Sequence, residues 1–240
     1  MTDPDYGETW AYESIIGALP GIDVSTRLAV LIQFVVFEAA VLVFAAVYDL
    51  WSAVPAATAA VVVATAGSIE MVRIGRVARR AAVPDAYRRL LFGSSIEVVL
   101  TVLAFVALIT HLFVFAPRYA EVAPLTRLFG PDPPVVVVYL TLLVLWDLCY
   151  RIGTGWWASV VALWRTARYE CDPETAATLQ RADLETMGFG LLQLVLVPFL
   201  VDFPVLAVAV LGHVLAVTLV TGTSVVLLRR QTASETATPI

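Results

Sequence analysis

Apolar residues in this chain come in long runs broken by short polar segments. Six of the runs are candidates for crossing the roughly 30 Å of hydrocarbon in a bilayer at about 1.5 Å of helix rise per residue. They cover residues 27 to 48, 52 to 71, 90 to 116, 134 to 163, 187 to 202 and 204 to 228. The pattern predicts an all-α fold, a polytopic membrane bundle of six transmembrane helices occupying residues 27 to 230. Residues 1 to 26 read as an acidic tail with a possible interfacial helix, in which Trp10, Tyr12, Ile15, Ile16 and Leu19 would lie in the headgroup layer. The stretch is too short and too acidic for a signal peptide. Residues 231 to 240, QTASETATPI, are small and polar and read as a disordered tail.

The breaks carry their own signals. Asp172 before Pro173 has the form of an N-cap with proline in the first turn, so a helix is expected to start there and run into the fifth span. Pro198 predicts a bend. The basic segment RVARRAAVPDAYRRL reads as two helices broken before Pro84 and resting on anionic lipid. Ser94 and Glu97 have the spacing of a capping box. The run from Pro134 to Trp164 allows two geometries. One is a continuous tilted helix, the favoured one; the other is a span ending near Arg151 followed by an interfacial stretch bearing Trp156, Trp157 and Trp164. Gly153 and Gly155 permit a bend or a close helix contact. Thr218, Thr221, Thr223 and Ser224 are expected to bond across helices.

Composition strengthens the membrane assignment. Hydrophobic residues make up 60% of the 240 and charged residues 15%, more apolar surface than one soluble core of this length could bury. Basic residues then orient the chain. The second connection carries Arg73, Arg76, Arg79, Arg80, Arg88 and Arg89 against Asp85, which predicts a cytoplasmic loop on anionic headgroups and both termini cytoplasmic. Arg165, Arg168 and Arg181 fall in the fourth connection and Arg229 and Arg230 close the sixth span, on the same side. Nucleic-acid binding is not expected, because juxtamembrane arginines have this topological explanation. All 15 basic residues are arginine, lysine and asparagine are absent, and the formal charge is −5. That usage suits GC-rich coding and a salt-rich cytoplasm.

The segments DYGETWAYESIIGALPGID, YDLWSAVPAAT, LFGSSIEVVL and WDLCYRIGTGWWASVVALWR resemble a family of uncharacterised integral membrane proteins of haloarchaea. The resemblance implies six spans and a haloarchaeal cell membrane, and it brings no activity or site residue.

Ionisable residues inside spans are the candidate functional groups, since each is costly in hydrocarbon. They are Glu38, Glu70, Glu97, Asp147 and Arg151, with Gln33 and Gln193 as polar company. Asp147 and Arg151 lie four apart on one helical face and can neutralise each other. Glu70 and Glu97 sit in similar settings, GSIEMV and GSSIEVV, and could face each other and share a proton or a cation; alternatively Glu70 pairs with Arg73. Glu38 has only apolar neighbours within a turn, so its partner must come from another helix, with Asp147 or Arg151 preferred by depth. His111 and His213 are isolated, and Cys149 and Cys171 would be about 33 Å apart on a continuous helix, too far to bridge.

No nucleotide loop, zinc-protease motif, serine elbow or CxxC occurs, so no enzyme, cofactor or metal site is expected. Two roles remain. The favoured one is a structural or assembly bundle whose intramembrane polar contacts fix helix packing, as a homo-oligomer or with another membrane protein. The alternative is a small transporter, channel or proton-coupled protein whose carboxylates line a path.

Overall fold

The computed structural model describes residue 10, residues 25–119 and residues 121–236. Helix α1 (Thr26–Tyr48) starts where the Ser25 hydroxyl accepts the Leu28 N–H, and stops at Asp49, whose φ of 55° turns the chain back. A 3₁₀ turn at Trp51–Ala53 leads into α2 (Val54–Arg80), with Pro55 in the first turn, where a missing N–H costs nothing. α2 ends four residues before Pro84, and α3 (Asp85–Gly93) follows. α4 (Ile96–Thr110) continues through a π turn at His111–Phe115 into α5 (Ala116–Tyr119). Pro117 accounts for the π turn: it offers no N–H to the Phe113 carbonyl and crowds it, and the wider turn, closed by Ala116 N–H on the His111 carbonyl, makes room. After α6 (Pro124–Phe129) come α7 (Val135–Arg168), α8 (Pro173–Leu192), a 3₁₀ stretch at Gln193–Phe199, and α9 (Pro204–Thr236).

The fold is all-helical, with six helices long and apolar enough to span a membrane. The fifth runs over Pro173–Phe199 and begins well before residue 187, where hydropathy placed it. Asp172 caps it as expected, accepting the Thr175 N–H at 3.0 Å, and that bond holds the Asp172 carboxyl below the usual carboxylate range. Pro198 lies in the 3₁₀ stretch, whose tighter turns accommodate the lost helical bond. α9 passes Arg230 and reaches Thr236, and the Gln231 amide donates to the Thr166 and Tyr169 carbonyls at 3.0 and 3.2 Å.

Several local expectations change. Ser94 makes no capping box, because Ser95 occupies the N-cap with φ of 52° and the Ser94 hydroxyl reaches only the Ile96 N–H at 3.5 Å. α3 buries Tyr87, Leu91 and Phe92 in the bundle. Trp10 is likewise fully buried, donating its indole N–H to the Met71 carbonyl at 3.1 Å and meeting Phe92 edge-on at 5.0 Å. The rest of the expected interfacial segment lies outside the described residues.

α7 organises the packing. It is one continuous helix of 34 residues, about 51 Å long, so it exceeds the hydrocarbon thickness. It touches α1, α2, α3, α4, α8 and α9. Gly153 and Gly155 serve close contact: a Cβ on Gly153 would sit 3.0 Å from Thr101 Oγ1, and one on Gly155 would sit 3.2 Å from the Phe189 ring. The tightest crossing is at Gly67 of α2, where a Cβ would come within 2.4 Å of Arg151 Cβ and 2.9 Å of the Phe189 ring. Those obstacles sit at the root of a side chain and in a packed ring, so neither can swing away. Gly67→Ala is therefore expected to destabilise the bundle by about 1–3 kcal/mol. Thermal denaturation in detergent checks this, with Gly212→Ala, at an open position, as the neutral control.

Candidate functional site

The polar residues of the spans gather into two clusters along α7. The first lies near the middle of the spans. Arg151 Nη2 is 2.9 Å from Asp147 Oδ1, the intrahelical pair expected from their spacing, and the Arg151 side chain is only 1% exposed. Arg151 Nη1 also donates to Met71 Sδ at 3.0 Å, and its guanidinium carbon lies 5.4 Å from the Tyr150 ring centre. Asp147 accepts a bond from the Gln33 amide of α1 as well, and Gln33 Oε1 accepts the Ser68 hydroxyl of α2 at 2.9 Å. Three helices thus close around one ion pair. The space beside it, between Gln33, Thr65, Val144 and Asp147, has no room for water.

The second cluster lies toward the arginine-rich end. Arg165 of α7 is 1% exposed, and its Nη2 donates to Asp183 Oδ2 of α8 at 3.0 Å and to the Thr166 hydroxyl at 3.2 Å. Ser224 of α9 donates to the same Asp183 oxygen at 2.7 Å and shares a hydrogen bond of 2.9 Å with Thr166. Tyr87 of α3 lies under the guanidinium at 5.2 Å. Beside this pair, Thr186 of α8 donates to Glu70 Oε1 at 2.7 Å, and Glu70 Oε2 is 3.4 Å from Arg73. Arg73 reaches on to Glu185, which also pairs with Arg181 at 3.2 Å. Glu70, Arg73, Glu185 and Arg181 therefore form a charge-balanced chain joining α2 to α8. A cavity of about 20 Å³ lies inside the cluster, lined in part by Tyr87, Ser159, Arg165, Asp183, Thr186 and Thr221.

Of the remaining candidates, Glu70 takes the Arg73 contact its spacing allows, while Glu38 is placed differently from expectation. Glu38 does not reach Asp147 or Arg151; its Oε1 accepts the Thr58 hydroxyl of α2 at 2.7 Å, and Gln33, about a turn and a half away, takes the contact with Asp147. Glu70 and Glu97 are not brought together. The oxygens of Glu70 go to Thr186 and Arg73, while Glu97 is buried at the contact of α4 with α7, its backbone carbonyl facing Gly153. Glu97 Oε2 and Glu38 Oε2 have no hydrogen-bond partner among the described residues. Of the four α9 hydroxyls expected to cross, Thr218, Thr221 and Thr223 bond to carbonyls of their own helix, and Ser224 crosses to a neighbour.

A model of a family of unknown function, DUF7530, matches residues 5–224. The chain belongs to the DUF7530 family. No curated protein and no solved structure matches it.

Sequence reasoning missed half of the second cluster in this DUF7530 protein. Arg165 and Asp183 fell in what hydropathy marks as a connection, because three charges at Arg181, Asp183 and Glu185 depress the average over that turn. A usable signal was present: Asp147, Arg151, Thr154, Ala158, Ala162 and Arg165 recur at three- and four-residue steps, so one face of α7 carries the polar residues of both clusters.

The first cluster yields a quantitative expectation. Asp147→Ala leaves the Arg151 cation buried without its counter-ion and is expected to lose about 3 kcal/mol, more than the Asp147→Ala/Arg151→Ala double variant loses. A double-mutant cycle on melting temperature in detergent measures the coupling; additive losses would exclude it.

Proposed function

We propose that this DUF7530 protein is a structural or assembly component of the membrane with no catalytic role, its buried polar contacts fixing how the spans pack. One observation carries the reading: both fully buried guanidiniums are engaged by carboxylates of the same chain, and the space beside them holds about 20 Å³ in one cluster and no water in the other. A transport path needs hydrated groups that exchange partners, whereas closed pairs in tight packing hold helices in register.

The second reading, a small transporter, channel or proton-coupled protein, has a specific observation in its favour. Glu38 and Glu97 each present an oxygen without a hydrogen-bond partner among the described residues, and Glu38 sits only half-buried near the middle of α1. Purified protein in liposomes separates the two. The structural role predicts no flux of protons, sodium, potassium or chloride above empty vesicles at any pH from 5 to 8, and a Glu38→Gln variant as stable as the wild type. PH-dependent flux that Glu38→Gln abolishes without loss of folding would replace it with the second reading.

In the same proposal both termini face the cytoplasm. The ends of α2, α7 and α9 group Arg76, Arg80, Arg168, Arg229 and Arg230 on one side, and the opposite side joins Arg127 to Asp202 at 2.6 Å. Positive charge retained on the cytoplasmic side and attracted to anionic headgroups supports that orientation. The lysine-free, acidic composition supports a haloarchaeal cell membrane. The proposed partners are lipid headgroups at the Arg73 to Arg89 segment and a second copy or another membrane protein, with no nucleic acid. Single cysteines placed at Ala81 and Ala123 test the sidedness: an impermeant maleimide should label whole cells at Ala123 and spare Ala81, and the reverse pattern would invert the topology.

A further inference from the structure

The cavity inside the second cluster has a hydrogen-bonding pattern of its own. Its volume of about 20 Å³ is room for a water molecule and for little else. Three of the hydroxyls that line it have spent their protons. Ser159 donates to the Gly155 carbonyl at 2.7 Å, Thr221 to the Val217 carbonyl at 2.6 Å, and Thr186 to Glu70 at 2.7 Å. Each therefore has only oxygen lone pairs left for the cavity. Arg165 supplies the opposite character: its Nη2 serves Asp183 and Thr166, while its Nε–H has no acceptor among the described residues although the side chain is 1% exposed.

A buried guanidinium N–H without an acceptor is costly, and the cavity brings it together with the Tyr87 hydroxyl and several acceptors. The complement of such a set is a small molecule that both accepts and donates. A halide could accept from Arg165 but would face the lone pairs of Ser159 and Thr221. A metal cation would suit those lone pairs but would sit against the guanidinium. Water meets both demands.

We propose that this cavity is a binding site for one structural water molecule, which accepts from Arg165 Nε–H and donates to the hydroxyl oxygens of Ser159 and Thr221. Through it Arg165 of α7 is tied to α9 by a second route, independent of the direct bond from Ser224 to Asp183. The water also spares Arg165 the desolvated N–H that would otherwise weaken its hold on α8.

A structure of the full chain in detergent or nanodiscs, at a resolution that shows ordered waters, tests the site directly. Density within hydrogen-bonding distance of Arg165 Nε, Ser159 Oγ and Thr221 Oγ1 is the expected result. Thr221→Val gives an independent measure, since it keeps the side-chain shape and removes one acceptor. Among the described residues Thr221 bonds only to its own helix, so in a dry cavity valine would leave stability unchanged or raised. With water bound, the variant should melt about 2–4 °C lower. A cavity without density, or a Thr221→Val protein at least as stable as the wild type, overturns the proposal.

Discussion

A guanidinium keeps its proton under all conditions a protein meets, so a membrane bundle that buries one must bring a counter-charge to it. This chain buries two, Arg151 and Arg165, on the helix at its centre. The two are solved in different ways. Asp147 neutralises Arg151 from the same helix, one turn away, so that pair can form as soon as α7 does. Asp183 neutralises Arg165 from α8, so this second pair exists only when the two helices are docked in one register. Removing either carboxylate strands a cation, a loss of about 3–5 kcal/mol, large beside the few tenths contributed by a typical hydroxyl contact between membrane helices.

The other helices follow from those two anchors. α1 and α2 are drawn to the first through Gln33, Ser68 and Met71, and the steric path is cleared by Gly67, which lets α2 lie against Arg151 itself. α9 is drawn to the second through Ser224, and α3 folds Tyr87 beneath Arg165. Electrostatic pairing and close packing thus fall at the same levels of α7. A side chain added at Gly67 would disturb both at once, because Arg151 is at once the charge to be paired and the surface to be packed.

Trp10 shows how the same frame takes up residues far away in sequence. An indole at the headgroup level would gain from its polar N–H and apolar ring alike. Here the ring fills space beside Phe92, and the N–H reaches the carbonyl of Met71, whose sulfur accepts from Arg151. One residue of α2 therefore connects the N-terminal segment to the first ionic cluster. Such a link offers little to a hydropathy reading, since an amphipathic side chain satisfies an interface and a bundle interior equally well.

The sequence by itself determined the number of spans, the all-helical class, the N-cap at Asp172, the break before Pro84 and the pairing of Asp147 with Arg151. Each depends on residues within a turn or two of one another, or on the length of an apolar run set against the thickness of hydrocarbon. The family match adds membership and leaves activity open. Tertiary structure alone decided that Glu38 meets Thr58, that Glu70 meets Thr186 and not Glu97, and that the charged turn from Arg181 to Glu185 belongs to the same helix as the fifth apolar run. These outcomes depend on helix rotation and relative depth, which hydropathy does not carry. A charge lowers an average whether it faces water or a counter-ion on the next helix. Only the docking of α8 against α7 distinguishes the two, because it places Asp183 on Arg165 and takes both out of the solvent that their sequence alone would imply.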